Sequence, residues 1–319
     1  MIRALAFAAG VALFAPAPAG AATLDRVRGD GVVRCGGVIR PGLAFPAADQ
    51  TWQGLEVDLC RAVAVAVLGA NAKIEFHSYF TDKDFARLAS GADDLAFLTG
   101  SEIHANNMFG TVLPGPAVFY ETTRLMVQED NPARHVADLR DTRICAEPGT
   151  GPERNLQEYM ARNAIPFRQS MWQEVEEMMD AFNVGRCPAV AGEETALAAL
   201  RLGSEADGHP ARILPEPLAA APISIATPAG DPAWAAVAHW TMQTVLTAER
   251  SPRVQGPRLP VPAPPLGLQP GWQDRVIEAV GTYPDAFARS LGAGSPLKLP
   301  PGLNARWDAG GLFAPPAVE

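Results

Sequence analysis

Several common functions are argued against by what this chain has little of. Its 26 Lys and Arg are outnumbered by 35 Asp and Glu, giving a net charge of −9 and a pI near 5.1. The positive excess that a phosphate backbone requires is missing, which argues against nucleic acid as a partner. No Cys-x-x-Cys pair occurs, and His77, His104, His135, His209 and His239 are scattered, so no metal site is read. Gly-x-Ser-x-Gly, His-Glu-x-x-His and Gly-x-x-x-x-Gly-Lys are all absent, which leaves hydrolase and phosphate-loop chemistry without a basis, and no cofactor is implied. Beyond the N-terminal stretch no run reaches the roughly 18 uninterrupted apolar residues of a membrane span. No internal repeat recurs at a fixed period.

What is present starts with that N-terminus. Arg3 precedes an apolar run over 4–15 and a small-residue stretch over 16–22, in which Ala19-Gly20-Ala21 fits a signal-peptidase site. Residues 1–21 are therefore expected to be a signal peptide, with the mature chain beginning near Ala22 or Thr23, and the protein is expected in the periplasm. About 297 residues then remain, enough for two domains that each bury a core. With 30 Pro and 29 Gly the chain is rich in turns, while 48% hydrophobic residues argue against disorder. Cys35, Cys60, Cys145 and Cys187 are an even number in an exported chain and should pair as disulfides. Of the three connectivities, Cys35–Cys60 with Cys145–Cys187 is favoured because each pair then lies within one predicted domain; each closed loop stabilises by about 3–4 kcal/mol on the chain-entropy account.

Apolar runs and their spacing predict a strand over 32–38 and a helix over 57–68, with Asp58 in its first turn and Gly69 at its end. A strand over 73–76, a short helix over 84–89 and a strand over 94–98 follow. This alternation means βαβ units and a parallel sheet, whose ligands bind at the carboxyl ends of the strands. Those ends are Ile39-Arg40, Ser78-Tyr79-Phe80 and Thr99-Gly100-Ser101. The extended run over 118–127 is longer than a mean strand and reads as a crossing between domains. A second set comprises a strand over 142–146, a helix from Pro152, a helix over 172–184, a strand over 189–191 and a helix over 193–202. Residues 222–226 read as the return crossing, and Asp231 as the N-cap of a helix with Pro232 at its first position. The proline-rich stretch 251–270 reads as an irregular connection, and 272–291 as helical with a break at Tyr283-Pro284.

Residues 145–156 carry the strongest ligand signal. A short strand runs into the turn Gly149-Thr150-Gly151, and Pro152 opens a helix. A helix N-terminus carries about half a positive charge and free N–H groups, so a carboxylate or phosphate can sit there without a basic side chain. An ordinary strand-to-helix turn is the plain alternative.

The chain resembles the periplasmic solute-binding proteins, family 3, of polar and general amino-acid ABC importers. The matching blocks are Thr23-Leu24-Asp25, Gly31-Val32-Val33-Arg34-Cys35-Gly36, Gly54-Leu55-Glu56-Val57-Asp58-Leu59-Cys60, Ile144-Cys145, Gly185-Arg186-Cys187, Ile213-Leu214-Pro215-Glu216, Gly294-Ser295-Pro296-Leu297-Lys298 and Gly302-Leu303-Asn304 with Trp307. The resemblance implies an α/β, two-lobe periplasmic binding protein fold (type II), with two parallel-rich sheets joined by two hinge strands. Lobe 1 would be 24–121 plus 220–319 and lobe 2 would be 122–219. It implies a substrate-binding protein, not an enzyme, that captures a small zwitterionic or anionic solute between closing lobes. Its partners would be that solute and an ABC permease in the inner membrane, the protein itself being a monomer. All four cysteines fall where the general amino-acid binders carry theirs.

The implied binding residues are a mixed set. Ser101 matches a hydroxyl that holds the ligand carboxylate, whereas Asn106 and Leu98 stand where the family has arginines. Truncating a buried Arg–carboxylate pair costs about 2–5 kcal/mol, so this site differs from the family pattern. Thr150 and Gly151 match the lobe 2 anion donors, and Glu193 replaces the ammonium-binding Asp with one more methylene. Tyr79 or Phe80, and Phe45, are expected as aromatic walls, and Arg40 or Arg154 as sources of the missing positive charge. The alternatives are a diverged binder with a non-amino-acid ligand or a sensor or accessory role, and a dehydratase-like enzyme on the same fold, with Glu193 or Glu194 as its acid or base.

Overall fold

The computed structural model describes residues 23–248 and 261–314. The signal-peptide reading, and the part of the proline-rich connector over 251–260, lie outside the described residues.

In chain order the elements are α1 (Thr23–Asp30), β1 (Val32–Gly37), β2 (Phe45–Pro46), β3 (Trp52–Gln53), α2 (Leu55–Leu68), β4 (Lys73–Ser78), α3 (Asp82–Ala89), β5 (Leu95–Thr99), α4 (Gly100–Ala105) and β6 (Val112–Gln128). Then come β7 (Arg143–Ala146), α5 (Gly151–Arg162), β8 (Arg168–Met171), α6 (Val175–Asn183), β9 (Ala189–Glu193), α7 (Glu194–Ala206), β10 (Ala211–Ile213) and β11 (Ala219–Pro228). The described chain continues through α8 (Pro232–Thr247), α9 (Trp272–Val280) and α10 (Tyr283–Ser290).

Hydrogen bonding runs through the order β4-β1-β5-β11-β6-β9-β7-β8, with β10 on β6. At one end β1 is parallel to β4 and β5, and at the other β7 is parallel to β8 and β9. The two parallel parts are joined by the long strands β6 and β11, which pair antiparallel to each other from Ala219 opposite Thr123 to Pro228 opposite Val112. Two strands thus cross between the parts, and their pairing shifts register between Ile223 and Ser224 and again between Ser224 and Ala226.

Both faces of each part are buried, and strand alternation sorts the side chains between them. Leu125, Val127, Ile144, Ala146, Ala189 and Ala191 pack on one face with Leu156 and Met160 of α5. Their neighbours Met126, Cys145 and Val190 pack on the other with Met178 and Phe182 of α6. In the first part Val33, Cys35, Leu95 and Phe97 join α2, α8 and α9, while Ala96 and Leu98 face Tyr79 and Phe85. The disulfide Cys35–Cys60 ties β1 to α2, and Cys145–Cys187 ties β7 to the loop between α6 and β9, each within its own part.

Local chemistry explains where elements start. Thr81, Thr99 and Thr282 form capping boxes with Asp84, Glu102 and Asp285. The helical break falls at Gly281, where φ is 82°, and not at Tyr283-Pro284, which form the first turn of α10. Proline is tolerated there because first-turn N–H groups have no helical partner. α2 begins two residues before the expected start, with Gly54 as its cap. Gly54 is required: at φ 123° a Cβ would lie 2.3 Å from the Leu43 carbonyl oxygen.

Candidate functional site

After β1 the chain makes a tight turn in which Arg40 N–H donates to Ala44 (3.0 Å) and Ala44 N–H to Arg40 (3.1 Å). Gly42, at φ 77°, allows the turn to press on Leu291. This fixes Arg40 where only 5% of it is exposed. Its Nη2 pairs with Glu102 of α4, and its Nε lies 4.0 Å from Oε2 of Glu193, at the end of β9 in the other part of the sheet. The other oxygen of Glu102 accepts from Thr99 N–H at 2.7 Å, so the acid that holds Arg40 also caps α4.

Two further acids surround this guanidinium. Glu56, second residue of α2, is fully buried, and its Oε2 would be 3.0 Å from a Cβ on Gly37, the last residue of β1. Neither of its carboxyl oxygens, nor Nη1 of Arg40, has a hydrogen-bond partner among the described residues. Burial drives the Glu56 carboxyl up to about 8, against the pull of Arg40 and with help from Glu102 and Glu121. Glu121 of β6 accepts from Thr195 Oγ1 at 2.6 Å and Thr122 N–H at 3.0 Å, yet burial and the neighbouring Glu193 raise it to about 7. Glu193 is raised by burial, opposed by Arg40 and reinforced by Glu102. For Arg40, burial opposes the charge, and Glu102, Glu56 and Glu193 outweigh it.

On the facing side, Thr150 caps α5. Its hydroxyl donates to the Glu147 carbonyl at 2.7 Å and accepts from Glu153 N–H at 3.4 Å. Glu153 reaches back to Gly149 N–H at 2.7 Å, so part of the helix terminus is already occupied by a carboxylate. A cavity of about 660 Å3 opens here, lined among others by Pro41, Thr150, Gly151, Met178, Gly192 and Glu193. A more apolar cavity of about 710 Å3, among Tyr283, Phe287, Leu299 and Phe313, shares no lining residue with it.

The structure brings Arg40, Glu193, Thr150 and Gly151 to this region and places other candidates elsewhere. Tyr79 is 1% exposed, lies against Gly36 and donates its hydroxyl to Asp93 at 2.8 Å, a core position rather than an open aromatic wall. Phe80 is 91% exposed. Phe45 is half-buried in the short β2–β3 pairing, and Ser101 is exposed in the first turn of α4. Leu98 is fully buried on the Tyr79 face, and Asn106 donates its side-chain N–H to the Glu102 carbonyl at 2.9 Å. Arg154 turns back onto the Gly149 carbonyl at 3.0 Å. Glu194 pairs with Arg124 (2.9 Å) and Thr122 (2.6 Å) beside the crossing strands. Glu56, Glu102 and Glu121 escaped the sequence reading, although an acid inside Leu55-Glu56-Val57 and another inside the apolar run 118–127 were visible signals.

No family model matches the chain. Over 98% of its length it is 32% identical to the general L-amino acid-binding periplasmic protein AapJ of Rhizobium johnstonii, 97% of which is covered. The chain belongs to the periplasmic amino-acid-binding proteins of ABC transporters. A second relative of this family, the putative amino-acid ABC transporter-binding protein YhdW of Escherichia coli, is 29% identical, with 99% of this chain and 98% of that protein covered. Among solved structures, an ABC transporter/periplasmic binding protein from Brucella ovis with glutathione bound superposes with a TM-score of 0.73 at 29% identity, covering 92% of this chain and 98% of that one. The fold is that of the two-lobe periplasmic binding proteins, and these relatives are binding proteins rather than enzymes.

Proposed function

We propose that this protein captures an amino-bearing solute of amino-acid size in the periplasm and delivers it to an ABC permease, without catalysing a reaction. The observation that carries this reading is the approach of Arg40 and Glu193 from opposite parts of the sheet, at 4.0 Å, beside a cavity with few polar groups. A solute held there touches both parts at once, which couples its binding to closure of one part on the other. The moving units are 24–121 with 220–319, and 122–219, flexing where β6 and β11 cross. In this arrangement Glu193 takes an ammonium group, Thr150 and Gly151 line the opposite wall, and Arg40 faces an oxygen of the solute. AapJ and YhdW, as amino-acid-binding proteins, support this class of ligand, and the glutathione-bound Brucella structure supports a peptide-like variant of it. Periplasmic location and a monomeric state are part of the same reading.

The test is a thermal-shift screen of mature protein, stripped of bound solute by unfolding and refolding, against amino acids, amines, dicarboxylates, glutathione and prephenate. A solute at 100 times its dissociation constant adds about 2.7 kcal/mol and raises the melting temperature by several degrees. No shift with any amino-bearing compound would sink the reading. A shift with prephenate followed by its consumption would replace it with the enzymatic alternative.

A further inference from the structure

Within the binding reading just given, the charge beside the cavity narrows the solute further: Glu193 and Pro41 line it, and Arg40 and its acids lie behind them. One guanidinium, Arg40, stands among four carboxyl groups, Glu56, Glu102, Glu121 and Glu193, contributed by α2, α4, β6 and β9. Glu102 already pairs with Arg40, so the only cation among these five groups is spoken for. Glu56 is fully buried with both oxygens unpartnered, and it reaches over the side-chain-free end of β1 at Gly37. Parallel strands present ligands at such ends. A buried carboxyl group without a partner is costly and calls for a donor, while the unpartnered Nη1 of the buried Arg40 calls for one acceptor. Among the described residues no His, Cys, Asp and Glu are grouped to hold a metal ion.

We infer that the cleft selects solutes carrying more amino groups than carboxylates, a basic amino acid or a diamine, with Arg40 Nη1 taking one oxygen where the solute has one and the acids sharing the amines.

Protonation gives the selectivity a signature. The charges of Arg40, Glu102 and Glu121 act on Glu56; those of Glu193 and Arg40 act on Glu121, which also accepts from Thr195; and those of Arg40 and Glu102 act on Glu193. A cation stabilises the ionised form of each acid, so it binds with release of protons and its affinity rises as pH rises through 7 to 8. An anion shows the opposite dependence.

Isothermal titration of refolded wild-type protein with L-lysine, putrescine, L-alanine, L-glutamate and succinate, at pH 6 and pH 8 and in buffers of different ionisation heat, tests this. The expected result is binding of lysine or putrescine at least tenfold tighter than glutamate or succinate, strengthening about tenfold between the two pH values with net proton release. Glu56→Gln should flatten the pH response. Glu102→Gln, which keeps an oxygen for Thr99 N–H but frees Arg40, should shift preference toward glutamate by at least tenfold. Glutamate or succinate binding as tightly as lysine and putrescine, or an affinity for the amines that falls with pH, overturns the inference while leaving the binding function intact. Absence of binding by lysine and putrescine overturns the inference, and the binding function falls with it only when the full thermal-shift screen is silent as well.

Discussion

Replacing Glu56 by glutamine should stabilise the protein at neutral pH and leave it nearly unchanged in acid. Glu56 is fully buried, without a hydrogen-bond partner, and its carboxyl is raised from 4.5 to about 8. Below pH 4.5 both folded and unfolded chains hold the proton, and the group costs nothing extra. Between 4.5 and 8 the unfolded chain ionises while the folded one keeps its proton, so stability falls as pH rises, and above 8 the penalty is constant. At about 1.4 kcal/mol per pH unit the loss reaches about 3 kcal/mol at pH 7 and about 5 kcal/mol at pH 8. Glutamine has the same shape and no charge to lose. Urea unfolding followed by tryptophan fluorescence, with Trp234 and Trp272 buried in the core, reads this directly at pH 5, 6, 7 and 8. The variant should gain on wild type by a margin that grows with pH. A difference that does not change between pH 5 and 8 would refute the argument that Glu56 is buried neutral.

Other outcomes follow from single contacts. Thr150→Ala removes the N-cap acceptor of α5 and should cost about 1 kcal/mol, seen as a fall of about 2 °C in melting temperature. Replacing Cys145 and Cys187 together by alanine opens a loop of sequence separation 42 and should cost about 4 kcal/mol in urea unfolding under oxidising conditions. Gly36→Ala would place a Cβ 2.2 Å from the Tyr79 ring and should destabilise by about 1–3 kcal/mol, with a matching shift in the urea midpoint.

The framework was legible because its signals are local. Apolar runs such as Val32-Val33 and Leu95-Ala96-Phe97-Leu98, the N-cap Asp231, and the glycines closing helices report on a few residues at a time. β8 was missed because Arg168-Gln169-Ser170-Met171 has neither an apolar run nor alternation; its place comes from parallel pairing to β7. α4 was missed because Gly100 and Ser101 read as a strand end, and only the Thr99–Glu102 box shows a helix start. The site was less legible for a related reason. Glu193 and Thr150 stand at element ends, which sequence can locate, whereas Glu56 and Glu121 lie within apolar runs and come near Arg40 only through tertiary packing, Glu56 by the docking of the turn after β1 on the start of α2. Tyr79 and Phe80 are adjacent and were interchangeable in sequence, but the loop that follows β4 buries one against Asp93 and exposes the other.

The central claim is that a solute is gripped from both parts of the sheet by Arg40 and Glu193. Its most direct test is the affinity of the stripped protein for the tightest-binding solute of the screen, compared with Glu193→Gln and Arg40→Ala. The account predicts a loss of at least tenfold for each variant, with circular dichroism unchanged. Affinity unaltered by both substitutions would place the solute elsewhere and contradict it.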